Sequence, residues 1–356
     1  MSINAVLRLA VVAFAMLGAA AFGGRGGGSI GPFYYLCDNL SVSCVAAYSA
    51  NRQLRSSYSG KAFKVNNGST SADIGFTSGH LTDMAAYSAF VGAGSPSAVT
   101  VYNQGTIGSG ADCIQNTSAS QMAFYAHGPQ LGLFASGEAP PVHAGDPHTY
   151  CRVAGVSGVP VGNAARTIVF IGYLGYTPCC GGMIGLSEAL GSTPACAMWA
   201  IGGNRASQTS GSYYAWIDVE QAYAAGSSGY SGYPTINYQY SAALIPAVFI
   251  AKYDGAGTVT SIVNGVTLYS GALPSTPSDC TGGLITGGSD ASVADILFGT
   301  AGDDTPVPGC FLESMILNGA TNSADDAKIT TDAERFYGLP NTPYGSALAA
   351  QCAATY

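Results

Sequence analysis

Until its last few dozen residues the chain offers no helical periodicity. Short β-branched and aromatic runs recur instead, cut by Gly, Ser and Pro. The strongest of them is Thr260–Ser270, TSIVNGVTLYS. Asn-Gly between two β-branched runs is the sequence of a type I′ hairpin, because both turn residues must take positive φ. Further strands are predicted at 165–174, 247–253, 295–298 and 310–317. One helix is predicted near the end: Ser323 caps it, Asp325 and Asp326 fall in its first turn, Lys328–Tyr337 continue it to Gly338, and Pro340 stops it. Many short strands with one late helix predict an all-β chain, an antiparallel β-sandwich with a short C-terminal helix.

The surface of such a sandwich must be built almost without charge. Only 9% of the 356 residues are Asp, Glu, Lys or Arg, while there are 49 Gly and 22 Tyr. Ser, Thr, Asn, Gln and Tyr then supply its polarity, which suits neutral polar ligands, sugars foremost. The net charge is −8 and no basic cluster exists, which argues against nucleic acid as a partner.

The first residues, MSINAVLRLAVVAFAMLGAAAFGG, hold one charge, Arg8, and an apolar run of 14 residues from Leu9 to Phe22. That run is short for a membrane span, and Ala19–Ala21 offer small residues for cleavage. The expected organisation is a signal peptide at 1–21, a Gly-rich linker at 22–32, one domain at 33–338 and a tail at 339–356. The mature protein is expected to be secreted, extracellular or periplasmic, free of the membrane and monomeric. An uncleaved anchor is the other reading of the leader. Asn39, Asn67 and Asn116 open Asn-X-Ser sequences that accept glycans where the host adds them.

The 10 cysteines all follow the leader, and in an exported chain an even number implies disulfides. Cys37 and Cys44 are close enough for a small local loop. Cys179 and Cys180 are adjacent, and two arrangements are open to them: a distant partner for each, or a strained ring joining the two. The pairing of Cys113, Cys151, Cys196, Cys280, Cys310 and Cys352 is not fixed by sequence.

The chemistry points to carboxylates. His143 and His148 lie in a Pro/Gly/Asp loop without the helical spacing of a zinc site, and no cofactor or metal is expected. No nucleophile elbow, CxxC pair or phosphate loop is present. Glu220 ends the run Tyr213–Glu220, YYAWIDVE, in an aromatic setting. On a strand Asp218 and Glu220 share a face, where each perturbs the other's ionisation. That placement suits catalysis as well as it suits a solvent-facing acidic edge. A second acidic site, Gly302-Asp303-Asp304, lies between two predicted strands, the setting of an ordinary turn. Glycosidases need two carboxyl groups across a scissile bond, and Glu220 with Asp303 would supply them.

These segments resemble the catalytic domain of α-L-arabinofuranosidase B, glycoside hydrolase family 54. Cys37-DNLSVSCVAAYSANRQLRSSYSGKAFK-Val65 is similar to the family's opening, with its small Cys loop, Cys-Val-Ala-Ala, then an Arg and a Ser-Gly. Val101-Tyr-Asn-Gln-Gly105 resembles its Tyr-Asp-Gln-Ser-Gly, with Asn103 in place of Asp. Cys179-Cys180, Asp218-Val-Glu220 and Gly302-Asp303 follow in the family's order, so the resemblance spans Cys37 to Tyr337.

The resemblance implies a concanavalin-like antiparallel β-sandwich that acts as a retaining exo-hydrolase of arabinose-containing polysaccharides or oligosaccharides. Glu220 would be its nucleophile and Asp303 its general acid/base. Asp218 and Gly302 would bind sugar, and Cys179–Cys180 would form a vicinal disulfide packed on the arabinose. Gln221 and Ala222 stand where the family has two sugar-touching asparagines. That difference leaves open a non-catalytic carbohydrate-binding sandwich, while the low charge and Gly/Ser/Tyr richness leave open a structural surface protein.

Overall fold

The computed structural model describes residues 35–127, 130–135, 149–161, 164–174, 181–187, 198–203, 213–218, 238–240, 247–272, 293–298 and 309–339. Among these the chain forms β1 (Ser43–Ser49), β2 (Phe63–Asn66), β3 (Ser71–Ile74), α1 (Met84–Val91), β4 (Ser97–Val101), β5 (Cys113–Ile114), β6 (Ala123–His127), β7 (Gln130–Ala135), β8 (Cys151–Ser157) and β9 (Arg166–Leu174). It continues with β10 (Gly181–Ser187), β11 (Met198–Gly203), β12 (Tyr213–Asp218), β13 (Tyr238–Tyr240), β14 (Ala247–Tyr253), β15 (Thr258–Val263), β16 (Val266–Ala272), β17 (Val293–Phe298), β18 (Gly309–Asn318) and α2 (Ser323–Tyr337).

The antiparallel pairings resolve into two ladders. The first runs β16–β15–β14–β9–β18–β1, with β7 taking over from β1 beside the first residues of β18. The second runs β13–β12–β11–β10–β17–β8–β5–β4–β2–β3. β6 joins them, pairing along β7 and meeting β4 at Ser97 and Ala123.

Alternation along the strands assigns each face. Ile168 and Phe170 of β9, Phe249 of β14 and Ile316 of β18 share one buried cluster with Ile184 and Leu186 of β10, Ile201 of β11 and Ile296 of β17. This is the sandwich interior. Their neighbours Val169, Ile171, Val248, Ile250, Met315 and Leu317 point the other way and pack with Ile329, Ala333 and Tyr337 of α2. The period of two therefore produces three layers: helix, first sheet, second sheet.

The hairpin forms as its sequence predicts, with Asn264 at φ 48° and Gly265 at φ 76° between β15 and β16. The C-terminal helix ends on Gly338 in the left-handed conformation. Its cap is shifted by one residue from the sequence reading. Asn322 is the N-cap, its Oδ1 accepting the amides of Ala324 and Asp325, and Ser323 is the first helical residue. α1 is a correction to the expectation of a single helix. Asp83 caps it through the Ala86 amide and Gly92 closes it, but eight residues carry too little apolar periodicity to stand out.

Cys37–Cys44 is a disulfide, as its spacing suggested, and Cys113–Cys151 is another. Cys310 is also disulfide-bonded. Among the described residues no helix is long and apolar enough to cross a membrane. The leader, the linker and the tail beyond residue 339 lie outside the described residues.

Candidate functional site

Glu220, Asp303, Cys179, Cys180, Gln221, Ala222 and Gly302 lie outside the described residues. The strands that lead into them are described, and they belong to one stretch of the second sheet, in the order β12–β11–β10–β17. Two cross-strand rows define its geometry. Phe298, Ile184, Ile201 and Ile217 form one row, and Leu297, Gly185, Ala200 and Asp218 form the next. Ile184 and Ile201 are buried in the sandwich interior. The alternate row, with Asp218, therefore belongs to the outward face of the sheet. Its other positions on β10 and β11 are Gly185 and Ala200.

Asp218 is the last residue of β12, two positions before Glu220. Cys180 immediately precedes β10, and Asp303 falls in the segment between β17 and β18. Because β17 is antiparallel to β10 and Phe298 faces Ile184, the chain leaves β17 at the same sheet end from which β10 begins. The segments bearing Asp303 and the two cysteines thus attach to one edge of adjacent strands. Asp218 sits farther along the sheet, level with Gly185.

That sheet end is anchored. Cys151, the first residue of β8, faces Phe298 across the β8–β17 ladder and is disulfide-bonded to Cys113 of β5. The residue before Cys113 is Asp112, a half-buried carboxylate whose Oδ1 accepts the Asn103 amide at 2.8 Å. Burial raises its pKa, and the Asn103 amide opposes that rise. The part-exposed rings of Tyr58 and Tyr102 stand in its field. Burial foremost, then the Asp112 charge, raises the Tyr58 pKa. For Tyr102 the causes are burial, then the hydrogen bond to Asp73 and its charge, then Asp112. This grouping is not legible in the sequence, where Tyr58, Tyr102 and Asp112 are scattered among many similar residues.

The Tyr102-Asn-Gln-Gly105 segment proves to be a structural knot. Asn103 Oδ1 accepts the amides of Ala47 and Gly105, each at 2.8 Å, and its Nδ2 donates to the Gly108 carbonyl at 2.9 Å. Gln104 Oε1 accepts the Leu54 amide at 2.7 Å. Gly105 lies directly on β1, where a Cβ would stand 2.3 Å from the Val45 carbonyl oxygen. These groups tie the loop after β4 to β1. Among the described residues no group of three or more His, Cys, Asp or Glu could hold a metal ion.

No protein-family model matches the sequence, and no curated protein matches it. Solved structures do match the fold. One is an arabinofuranosidase complexed with arabinofuranosyl-α-1,2-xylobiose, at 19% identity and a TM-score of 0.58. Another is a Glu-to-Gln mutant of a glycoside hydrolase family 54 α-L-arabinofuranosidase soaked with 4-nitrophenyl α-L-arabinofuranoside, at 18% and 0.60. A third is a family 54 α-L-arabinofuranosidase soaked with a cyclic sulfate inhibitor, at 18% and 0.56. Each match covers 84% of this chain and 64% of the other, so the chain spans less than two thirds of those proteins' length. The chain has the β-sandwich fold of the family 54 α-L-arabinofuranosidases.

Proposed function

We propose that the protein is a secreted retaining glycoside hydrolase that releases terminal α-L-arabinofuranosyl groups from arabinose-containing polysaccharides or oligosaccharides. The observation that carries this reading is the fold shared over 84% of the chain, with Asp218 on the outward face of the second sheet two residues before Glu220. In the proposed reaction Asp303, protonated, donates to the glycosidic oxygen as the bond to the anomeric carbon breaks. Glu220, ionised, attacks that carbon and forms a glycosyl-enzyme. Asp303 then takes a proton from water, whose oxygen displaces Glu220 and restores the free enzyme. Asp218, Gly302, Gln221 and Ala222 line the sugar, and the Cys179–Cys180 ring packs on it. Retention requires the two carboxyl groups to stand about 5–5.5 Å apart.

Gln221 and Ala222 favour a second reading, a carbohydrate-binding sandwich without turnover. Purified protein incubated with 4-nitrophenyl α-L-arabinofuranoside separates the two. The hydrolase releases nitrophenol and Glu220→Gln does not. Equal release from both proteins removes Glu220 from the mechanism. No release from either, with binding to arabinan intact, establishes the binding protein.

A further inference from the structure

Cys310 is disulfide-bonded, and its partner is none of Cys37, Cys44, Cys113 and Cys151, which pair among themselves. Cys179, Cys180, Cys196, Cys280 and Cys352 remain, all outside the described residues. The surroundings of Cys310 itself are described, and they narrow the choice.

Cys310 is the second residue of β18, 1% exposed, opposite Phe134 of β7 and Tyr173 of β9. It belongs to the buried cluster on the α2 side of the first sheet, whereas Phe311 beside it belongs to the sandwich interior. A partner must therefore arrive on the α2 side. The end of α2 is fixed over the same two strands, β18 and β7. Tyr337 donates to Glu313 Oε1 at 2.7 Å, and Glu313 lies about 10 Å along β18 from Cys310. Gln130, the first residue of β7, donates to the Phe336 carbonyl at 3.2 Å. Leu339, 6% exposed, joins the cluster that holds Cys310. The tail that carries Cys352 therefore departs on the face where Cys310 is buried. From Leu339 it can extend roughly 40 Å to Cys352, several times the span required.

The other cysteines approach badly. Cys179 and Cys180 immediately precede β10, and Cys196 falls just before β11. Both strands belong to the second sheet, about 10 Å away on the opposite face of the first. Cys280 follows β16, whose last residue, Ala272, stands about 33 Å diagonally across the first sheet from Cys310. The chain from Ala272 to Cys280 spans at most about 28 Å. α2 also covers the direct path, with Ile329 in the cluster of Val248, Ile250 and Ile262.

We propose that Cys310 and Cys352 form a disulfide that straps the C-terminal tail to the outer face of the first sheet beside the end of α2. As the S–S bond forms, the two thiols give up two protons and two electrons. An exchanging disulfide, protein or small-molecule, takes them and is reduced to two thiols. An even four cysteines are left, so Cys196 falls to Cys280 when Cys179 and Cys180 bond each other. The pairing is independent of the hydrolase reading.

Chymotryptic mapping of the unfolded, alkylated, unreduced protein tests it. Cleavage after Phe298, Phe311 and Tyr344 places Cys310 alone in 299–311 and Cys352 alone in 345–356. These two peptides are expected as one cross-linked species that reduction splits. A link from 299–311 to a peptide holding any other cysteine overturns the proposal, as does an alkylated Cys310. Cys352→Ser gives a second reading and is expected to open the Cys310 thiol to alkylation after unfolding. A Cys310 that stays unreactive in that variant overturns the pairing too. Where the variant fails to fold, the map of the parent decides alone.

Discussion

Arg52 grips Glu313 through two hydrogen bonds, Nε to Oε1 at 2.6 Å and a terminal nitrogen to Oε2 at 2.9 Å, with Arg52 2% exposed and Glu313 fully buried. Arg52 follows β1, and Glu313 belongs to β18. The same guanidinium bonds Asp332 of α2 and lies over the Phe336 ring, while Tyr337 donates to Glu313 Oε1 at 2.7 Å. Burial pushes the Arg52 pKa down, but Glu313 and then Asp332 outweigh it and raise it overall. One polar knot therefore ties the chain just after β1 to β18 and α2.

Removing Glu313 strips the buried guanidinium of its two-point carboxylate and leaves Asp332 as its one carboxylate partner among the described residues. Glu313→Ala is expected to lower unfolding stability by about 3–5 kcal/mol, read from urea unfolding. A loss below about 1 kcal/mol would show that water reaches Arg52 in the variant and replaces the carboxylate.

The two pairings defined at both ends close loops of different length, with sequence separations of 7 for Cys37–Cys44 and 38 for Cys113–Cys151. Chain entropy predicts contributions of about 2.5 and about 4 kcal/mol respectively. Cys113→Ser with Cys151→Ser should therefore lower Tm more than Cys37→Ser with Cys44→Ser. The reverse order in thermal melts would mean that strain or residual unfolded structure outweighs loop length.

Asp325 supplies an acid-sensitive contact. Burial works against its charge, but the Ser41 hydroxyl and amide and then Lys328 outweigh it, holding its pKa below the usual 3.8. A depressed carboxylate pKa adds stability that is complete above the unfolded value and is lost as pH falls through the folded one. Between neutral pH and strong acid the wild-type protein should therefore lose more stability than Asp325→Asn, with the extra loss falling below about pH 4. Parallel Tm-against-pH curves for the two proteins would remove this contact from the acid response.

Peptide mapping under non-reducing conditions addresses Cys179 and Cys180. The peptide that holds both is expected two hydrogens lighter than its reduced form and linked to no other peptide. A cross-link from either cysteine to another segment overturns the vicinal bond and removes the sulfur surface from the proposed sugar site.

Local signals carried much of the fold. Asn264-Gly265 needs positive φ at both positions, and the turn adopts it. The strand at 247–253 is delimited by its own residues, and Gly338 ends α2. Long-range chemistry was less legible. Glu313 is one of five glutamates, and nothing near it in the chain announces Arg52 as its partner. Asn103 reads as one residue of a family-like segment, whereas its contacts with Ala47 and Gly108 are what join the loop to β1. At the candidate site, sequence singled out Asp218 and Glu220 by their spacing of two. Only the strand register shows which side of the sheet the Asp218 row occupies, because that depends on Ile184 and Ile201 being inside.

β1 is hydrogen-bonded to β18, with Ser43 opposite Asn318. β1 cannot find its place until β18 has been delivered. Contacts so distant in sequence form slowly, because the intervening chain must be gathered before the pairing rewards it. A polypeptide emerging N-terminus first therefore keeps an unpaired β1 edge until almost the whole domain has emerged. Its folding is timed by the arrival of the C-terminal end, and a chain cut short before β18 carries an open strand ready to pair with its neighbours.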